Sequence, residues 1–279
     1  MLQPAANDTP IIAVVIWYEP EPFMQRNILS YAYNVDYVVV VDNSVDDNMA
    51  MLPCLNNVIY IPLKYNAGIA SALNYGISKA AELGAVWVLM MDQDSRFEVN
   101  EFERLKVTAL ALQHDKQVAV IGPITDPKKN KDYKLKEVNE IITSGSLSRL
   151  SNLQNLGGFD NKLFIDCVDF DFCFRLRESG YKIIMDKSSR LDHRRGTPTT
   201  VTWRGRDKTI FNYSSTRYYY QVRNNLYLGY RFPEYRKSSR KKIRRIIRNA
   251  LLFEKHKYHN LMAMGQGVLH FLFGRYGPR

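Results

Sequence analysis

Apolar residues in the first half of the chain form short continuous runs. Five such runs, rich in valine and isoleucine, cover residues 11–16, 37–41, 58–61, 86–91 and 118–121, and their starts lie 21 to 32 residues apart. A continuous apolar run indicates a strand that is covered on both faces, and this spacing leaves room for a helix between strands. The pattern therefore predicts βαβ units and an α/β fold with a mostly parallel sheet flanked by helices.

Helical spacing of apolar residues appears in three further segments. Residues 68–83 have it between the third and fourth predicted strands, and residues 170–179 form a helix that Gly180 ends before a strand at 181–185. From Arg236 onward, Ile243, Ile246, Ile247, Ala250 and Leu251 recur at helical spacing opposite lysines and arginines. This last segment is predicted to be a basic amphipathic helix.

Polar residues follow two of the predicted strands. Val41 is followed by Asp42, and Met91 is followed by Asp92 and Asp94. Open parallel sheets bind ligands beyond the carboxyl ends of their strands, so we expect these residues to meet in one crevice. The simpler alternative is that they only end the strands.

Asp92 and Asp94 are two residues apart in an extended segment, so their carboxylates project to the same side while Gln93 turns away. Two close carboxylates can bind a hard divalent cation such as Mg²⁺ or Mn²⁺, which completes its coordination with phosphate oxygens. The pattern thus predicts a metal site for a nucleoside diphosphate. Residues 66–69 open a helix directly after a strand, where Gly68 permits close approach of an anion or nucleotide, although a tight turn would also use glycine.

Three carboxylates, Asp166, Asp169 and Asp171, lie within six residues beside phenylalanines. Such a cluster is costly unless positive or protic groups lie nearby. Asp169 can cap the helix that follows, and it can also take the proton from an acceptor hydroxyl. His193 is followed by two arginines, Arg194 and Arg195, which favours a phosphate neighbourhood, although a structural histidine is the simpler alternative.

The composition is that of a globular protein, with 46% hydrophobic and 24% charged residues. The three cysteines form no CxxC pair, so neither a disulfide framework nor a zinc site is predicted. The amino terminus lacks the positive charge of a signal peptide, and the first apolar run is too short to span a bilayer. We therefore expect the catalytic part to stay in the cytosol.

Net charge is unevenly distributed along the chain. Residues 231–279 contain 13 of the 39 basic and 2 of the 28 acidic residues, which leaves 26 of each in residues 1–230. We accordingly predict two parts, a catalytic domain at 1–230 and a basic tail at 231–279 that lies on an anionic membrane surface. A nucleic-acid-binding protein would also be basic, but the neutral body argues against it, and no nucleic-acid partner is expected.

Five segments together resemble the rhamnosyltransferase branch of the family 2 glycosyltransferases over roughly residues 11 to 230. In the order of the family's motifs they are W-Y-E-P at 17–20, V-D-N-S at 41–44, N-A-G-I-A at 66–70 continuing to N-Y-G at 74–76, D-Q-D-S at 92–95, and G-G-F-D at 157–160 continuing to Asp169. The chain departs from the family at Trp17 and Glu19, and it has Val168 where many members have glutamate. V-D at this point and D-Q-D-S both resemble the rhamnosyl branch.

The resemblance implies a GT-A fold, the Rossmann-like fold of nucleotide-sugar transferases, and a set of roles. Asp169 would be the catalytic base, and Asp92, Asp94 and His193 would hold Mg²⁺ or Mn²⁺. The donor nucleotide would contact the following residues: Tyr18, Asp42, Asn66, Gly68, Asp92 and Arg223. Arg223 lies in a segment that mixes tyrosines with arginines, and an interface helix is the alternative interpretation of that segment.

The implied activity is inverting transfer of a sugar, with L-rhamnose from dTDP-β-L-rhamnose as the favoured donor. The acceptor would be a polyprenyl-diphosphate-linked saccharide in bacterial cell-surface polysaccharide synthesis, reached from the cytoplasmic face of the membrane. A family 2 transferase that uses a UDP-hexose is the main alternative. A sugar nucleotidyltransferase is less favoured because no glycine-rich phosphate loop follows the first predicted strand.

Overall fold

The computed structural model describes residues 9–126, 132, 134–193, 199–203, 205–211, 213–254 and 256–279. Contacts divide the chain into two units. The first comprises Met1–Asp160 with Phe172–His193, and the second comprises Asn161–Asp171 with Arg194–Arg279. The division predicted at residue 230 falls in the last turn of a helix of the second unit, and the two functional parts stay a prediction.

The first unit contains a nine-stranded sheet. Its strands are β1 (Ile11–Trp17), β2 (Tyr37–Asp42), β3 (Val58–Pro62), β4 (Trp87–Asp92), β5 (Ser95–Phe97), β6 (Val118–Ile124), β7 (Leu135–Glu137), β8 (Ser146–Arg149) and β9 (Lys182–His193). The order is β3-β2-β1-β4-β8-β6-β9-β5, and β7 pairs with β9. All five strands predicted from continuous apolar runs are present, and the strand predicted at 181–185 is the start of β9.

Strands β1 to β4 pair in parallel, as the sequence predicts, and β6 also runs parallel to β9. Strand β8 runs antiparallel between β4 and β6, and β5 and β7 run antiparallel to β9. Strands β1, β2 and β4 are buried on both faces, which explains their continuous hydrophobicity, whereas β3 at the edge of the sheet is only partly buried. The β8 sequence, Ser-Leu-Ser-Arg, has no such run, so the pattern could not predict this strand.

Helices α1 (Gln25–Ala32), α2 (Ile69–Glu82), α3 (Glu101–Ala111) and α4 (Leu150–Asn155) belong to the first unit. Helix α2 packs closely on the sheet because Gly76 has no side chain, and a Cβ there would collide with Val14 of β1. Asn74 on the same helix exchanges two hydrogen bonds with the main chain of Phe159, at 2.8 and 2.9 Å. The third and fifth family-like segments therefore have structural roles in packing.

Helix α5 (Val168–Glu178) starts in the second unit and continues in the first. The second unit also contains the antiparallel pair β10 (Thr199–Trp203) and β11 (Arg206–Ile210) and three helices, α6 (Ser215–Arg231), α7 (Arg236–Phe253) and α8 (Lys257–Leu272). Helix α6 packs against both α7 and α8. The close contact with α8 depends on Gly267, whose added Cβ would lie 2.6 Å from the carbonyl oxygen of Tyr219.

The basic amphipathic helix predicted from Arg236 is α7, and part of its apolar side is covered within the protein. Ile246, Ile247 and Ala250 pack in one cluster with Tyr218 and Val222 of α6. Burial against α6 explains this part of the apolar periodicity without a bilayer, whereas Leu251 is 43% exposed, and binding of the helix to a membrane surface stays a prediction. In the part of the chain that the structure describes, no helix combines the length and the apolar character that crossing a membrane requires.

Candidate functional site

The end of β2 is fixed by the carboxylate of Asp42, which is fully buried. It accepts hydrogen bonds from the hydroxyl of Tyr60 at 2.6 Å, the side-chain amide of Asn48 at 2.8 Å and the main-chain N–H of Ser44 at 3.1 Å. Burial and the bond to Asp42 raise the pKa of Tyr60. Asp42 thus shapes the loop after β2, and its predicted contact with the base of the donor stays a prediction.

Asn43 and Asn66 join the end of β2 to the start of α2. The Asn43 amide donates to Asn66 Oδ1 at 3.0 Å, and the main-chain N–H of Ala67 donates to Asn43 Oδ1 at 2.7 Å. Asn66 Oδ1 also accepts from the N–H of Gly68, which has φ +82° at the amino end of α2. The end of β2 and the start of α2 are therefore bonded to each other, and the positive φ explains the glycine.

Gln93, between the two aspartates, connects the ends of β1 and β4. Its side-chain carbonyl accepts from the main-chain N–H of Tyr18 at 2.8 Å, and its amide donates to the carbonyl of Tyr18 at 3.0 Å. Its own carbonyl accepts from the side chain of Asn27 at 2.7 Å. Tyr18 is thereby held beside the D-Q-D segment with its ring exposed, a position compatible with the predicted donor contact.

Asp92, Asp94 and His193 come together at the carboxyl end of β4. One potential ligand atom from each lies within 4.8 Å of the other two, and all three residues are partly exposed. The pairing of β5 with β9 explains the meeting, because it sets Ser95 opposite His193 although 98 residues separate them. The Nδ1 atom of His193 lies 3.6 Å from Asp94 Oδ1.

Two buried serines hold this cluster from behind. Ser95 Oγ lies 2.7 Å from His193 Nδ1 and 3.2 Å from Asp94 Oδ1, and it accepts from the hydroxyl of Ser144 at 2.9 Å. Ser144 Oγ in turn accepts from the main-chain N–H of Asp92 at 3.1 Å. The hydrogen-bonded pair of Ser95 and Ser144 therefore contacts Asp92, Asp94 and His193, here called the acidic cluster. The sequence did not predict this pair, because Ser144 comes from a distant segment.

The chemistry of the cluster fits a divalent metal. Two carboxylates suit Mg²⁺ or Mn²⁺, and the imidazole nitrogen suits Mn²⁺. Three protein ligands leave further coordination positions open for phosphate oxygens. Hydrogen-bonded partners of the ligand side chains are also the usual support of a metal site. His193, which could have been a purely structural histidine, is thus placed where it can be a ligand.

Asp169 lies in the first turn of α5, one residue inside the helix and not before it as the sequence predicted. The preceding segment is strained, because the non-glycine residues Phe164, Asp166 and Cys167 have φ of 56°, 63° and 66°. Each such residue costs of order 1 kcal/mol, and conformations of this kind concentrate at functional sites. Other contacts must hold the segment in place.

Asn224 and Arg223 of α6 supply those contacts. The side-chain amide of Asn224 donates to the carbonyls of Leu163, Ile165 and Asp166 at 2.6, 2.7 and 3.0 Å. The guanidinium of Arg223 donates to the carbonyl of Lys162 at 2.8 Å. These buried polar groups clamp the segment that carries Asp169, a role that no sequence signal indicated.

Arg223 itself is fully buried, which argues against the predicted contact with the donor. Its guanidinium donates further hydrogen bonds to Asn224 Oδ1, the hydroxyl of Tyr219 and the carbonyl of Gly277, at 2.8 to 3.2 Å. It also lies 4.9 Å from the ring centre of Tyr220. The geometry gives Arg223 a structural role, in line with the alternative interpretation of this segment. Arg194 and Arg195 lie outside the described residues.

The two carboxylates on either side of Asp169 in sequence have the positively charged partners that the sequence analysis expected. Arg217 contacts Asp166 at 3.3 Å, and Arg231 contacts the buried carboxylate of Asp171 at 3.0 Å. Burial raises the pKa of Asp166, and the neighbouring guanidinium of Arg217 opposes this rise. Asp166 and Asp171 are therefore structural ion-pair partners, and Asp169 stays the candidate base.

Comparison with known proteins places the chain among sugar-transferring enzymes. Residues 13–179 match the model of the family described as glycosyl transferase family 2. A protein of Shigella flexneri named dTDP-rhamnosyl transferase RfbF is 31% identical over an alignment of 238 residues that covers 77% of this chain and 78% of that protein.

Two solved structures resemble the fold. GalNAc-T7, in a structure with UDP, GalNAc and Mn²⁺, is 14% identical with a TM-score of 0.55 over 66% of this chain, and the chain spans 44% of that protein. TarS residues 1–349 of S. aureus is 16% identical with a TM-score of 0.51 over 96% of this chain and 73% of that one. At these identities the likeness concerns the fold alone, and it confirms the predicted GT-A class.

Proposed function

The chain belongs to glycosyl transferase family 2, and from that membership we propose that it transfers L-rhamnose from dTDP-β-L-rhamnose to a hydroxyl of a saccharide acceptor. The name of the Shigella flexneri relative supports this donor, as does the D-Q-D-S sequence at 92–95. The observation on which the proposal mainly rests is the Asp92, Asp94 and His193 cluster at the end of a central strand. Tyr18, Asn66 and Gly68 are proposed to border the nucleoside.

The cluster is proposed to hold the diphosphate through Mg²⁺ or Mn²⁺. When bound, such an ion neutralises negative charge that grows on the leaving diphosphate. Asp92 and Asp94 provide the negative charge that retains a cation, and Ser95 and Ser144 keep the side chains oriented. The chain's own contribution is thus a set of ligand side chains that hydrogen bonds orient before the donor enters.

Asp169 is proposed as the general base. It takes the proton of the acceptor hydroxyl while the hydroxyl oxygen forms a bond to the anomeric carbon and the bond from that carbon to the diphosphate oxygen breaks. The single displacement inverts the configuration at this carbon, and dTDP leaves with the electron pair. A positioned general base typically contributes about 10²–10⁴-fold to the rate.

Replacement of Asp169 by Asn tests this role. Asp169→Asn is expected to lower the rate of transfer by about 10²–10⁴-fold, while the affinity for dTDP-rhamnose stays as in the wild type. Glu178→Gln, which alters an exposed carboxylate at the other end of α5, is the matched control. Full turnover by Asp169→Asn would remove this residue from the role of base.

Donor identity is tested by thermal shift with nucleotide sugars and Mn²⁺. Stabilisation by a ligand grows with its affinity, so the true donor should raise the melting temperature more than other sugar nucleotides do. We expect the largest rise with dTDP-rhamnose. A larger rise with UDP-glucose or UDP-galactose would instead favour the alternative of a UDP-hexose donor.

The acceptor is proposed to be linked to polyprenyl diphosphate, and the enzyme is proposed to lie on the cytoplasmic face of the membrane. Support comes from the excess of basic residues after residue 230 and from an exposed apolar face of α8. Leu272 and Phe273 at its end are 67% and 74% exposed, and Leu269 is 53% exposed. Basic residues beside exposed apolar ones are typical of interfacial segments.

Sedimentation with vesicles tests the membrane proposal. The protein should co-sediment with phosphatidylglycerol vesicles at low salt, and replacing Leu272 and Phe273 by Gln should weaken this binding. Val107→Gln, at an exposed apolar residue of α3, is the control. Salt-sensitive binding to random DNA without binding to vesicles would favour a nucleic-acid-binding role for the basic tail.

A further inference from the structure

The second unit contains a cavity of about 480 Å³ that no predicted role uses. Its walls come from α6, α7, the end of β11 and the strained segment before α5. This volume lies within the range of small-molecule sites, which is roughly 300–1,000 Å³. Every residue around the cavity belongs to the second unit.

Aromatic rings form one part of the wall. Phe211 and Tyr213 stack with ring centres 5.7 Å apart and planes 12° from parallel, and Phe170 and Tyr218 also face the cavity. Both Phe211 and Tyr213 are partly exposed, so their surface is accessible to a ligand. Flat aromatic faces pack against the C–H faces of sugar rings and against nucleobases.

The polar part of the wall favours a neutral ligand. The amides of Gln221, Asn225 and Asn249 line it, and amides can both donate to and accept from hydroxyl groups. Two acidic residues, Asp166 and Glu254, balance two basic ones, Lys242 and Arg245.

Three of these four charged groups are also engaged within the protein. Asp166 pairs with Arg217, and Glu254 accepts a hydrogen bond from the hydroxyl of Tyr218 at 2.7 Å. The ammonium of Lys242 donates to the hydroxyl of Tyr235 at 2.7 Å and lies 3.7 Å from the ring centre of Phe170. A cavity with balanced charges offers a phosphate little net attraction.

The amides retain hydrogen-bonding capacity for a ligand. The amide of Asn225 already donates to the carbonyl of Gln221 and accepts from the hydroxyl of Tyr235, which leaves its second N–H and second lone pair. A ligand with many hydroxyl groups can use this remaining capacity and the amide of Asn249.

The position of the cavity along the chain relates it to the proposed base. Cys167 and Phe170, on either side of Asp169 in sequence, both line the cavity. We propose that this cavity binds the saccharide of the acceptor, with a sugar ring against Phe211 and hydroxyl groups on the amides of α6 and α7. This assignment rests on the proposed transferase function, which supplies the need for an acceptor site on the unit that carries Asp169.

Saturation-transfer NMR with simple sugars tests the assignment on the whole chain. The probes are the methyl glycosides of L-rhamnose, D-glucose, D-galactose and N-acetyl-D-glucosamine, each at millimolar concentration with dTDP and Mn²⁺ present. We expect at least one of them to bind the wild type. Phe211→Ala and Asn249→Ala should each weaken that binding by up to about tenfold, the loss expected for one aromatic or hydrogen-bonding contact.

Tyr258→Ala is the matched control, because this tyrosine is exposed on α8 and outside the cavity. It should bind the same sugar as the wild type does. Two variants are used because Phe211→Ala can disturb the β10–β11 pair, whereas Asn249 lies on the partly exposed side of α7, and circular dichroism and melting confirm that both fold.

The affinity for dTDP-rhamnose, measured by calorimetry on the same proteins, separates failure of this assignment from failure of the proposed function. Unchanged sugar binding in both cavity variants would overturn the assignment. Variants that keep sugar binding but lose affinity for dTDP-rhamnose would also overturn it, because the cavity would then be a nucleotide site. Binding of dTDP-rhamnose by a wild type that binds no sugar would overturn the acceptor cavity alone. A wild type that binds sugars but not dTDP-rhamnose would count against the proposed donor.

Discussion

Ser95 and Ser148 are two buried serines of the same sheet, and they should respond in opposite ways to replacement by alanine. Both side chains have no exposed surface. The hydroxyl of Ser95 contacts Ser144, Asp94 and His193 at 2.7 to 3.2 Å. Among the described residues, the hydroxyl of Ser148 has no hydrogen-bond partner.

The size of the difference follows from these contacts. Ser95→Ala leaves the buried hydroxyl of Ser144 and the Nδ1 of His193 without their common partner, which should cost about 1–3 kcal/mol of unfolding free energy. Loss of a group that orients metal ligands typically lowers metal affinity by about 10–100-fold. Ser148→Ala removes a buried polar atom that makes no bond, so it should leave both the stability and the Mn²⁺ affinity unchanged or slightly improved.

Urea unfolding and calorimetric titration with Mn²⁺ in the presence of dTDP measure the two effects on the same proteins. Ser95→Ala should show lower stability and weaker Mn²⁺ binding than Ser148→Ala. Equal Mn²⁺ affinities for the two variants would refute the view that Ser95 orients the acidic cluster. A loss of stability alone would reduce Ser95 to a packing role.

Three further predictions concern the second unit. Burial raises the pKa of Asp166, so the wild type should lose stability relative to Asp166→Asn as the pH rises from near the unfolded carboxyl pKa of about 3.9 towards 7. The melting temperatures of the two proteins should therefore converge near pH 4. A difference that grows towards acid pH would contradict a raised pKa for Asp166. Asn224→Ala should lose about 2–4 kcal/mol in urea unfolding because three buried carbonyls lose their donor, and a negligible loss would refute the clamp. Gly267→Ala should lose about 1–3 kcal/mol of unfolding free energy, because the added Cβ collides with the carbonyl oxygen of Tyr219. Gly265→Ala, with open space around the added Cβ, should be neutral or stabilising. Equal melting temperatures for these two variants would contradict the tight α6–α8 contact.

The parallel half of the sheet could be predicted because its chemistry is local. Strands β1, β2 and β4 are buried on both faces and therefore apolar at nearly every position, and Asp42, Asp92 and Asp94 follow or end such runs. Residues 93–94 form a turn between β4 and β5, so the two carboxylates come close through this turn and not through the extended segment that the sequence predicted. Local pattern was thus sufficient for the fold class and for two of the three proposed metal ligands.

Long-range contacts explain what the sequence did not reveal. Ser144 and Ser95 are 49 residues apart, and the antiparallel pairing of β8 with β4 and of β5 with β9 brings their segments together. The burial of Arg223 could not be predicted for a related reason, because an arginine among tyrosines has the same local pattern whether it faces a ligand or is buried against carbonyls. Asn224 gave no signal at all, since its three partners lie about 60 residues away.

The proposed function depends most on the binding of a divalent metal by Asp92, Asp94 and His193, which would hold the donor diphosphate. A crystal soaked with Mn²⁺ and dTDP, measured for anomalous scattering, tests this claim most directly. We predict one strong anomalous peak about 2.0–2.6 Å from carboxylate oxygens of Asp92 or Asp94, the range of hard divalent cations with oxygen ligands, with the diphosphate of dTDP against it. A nucleotide bound elsewhere, or a peak distant from these residues, would contradict the account.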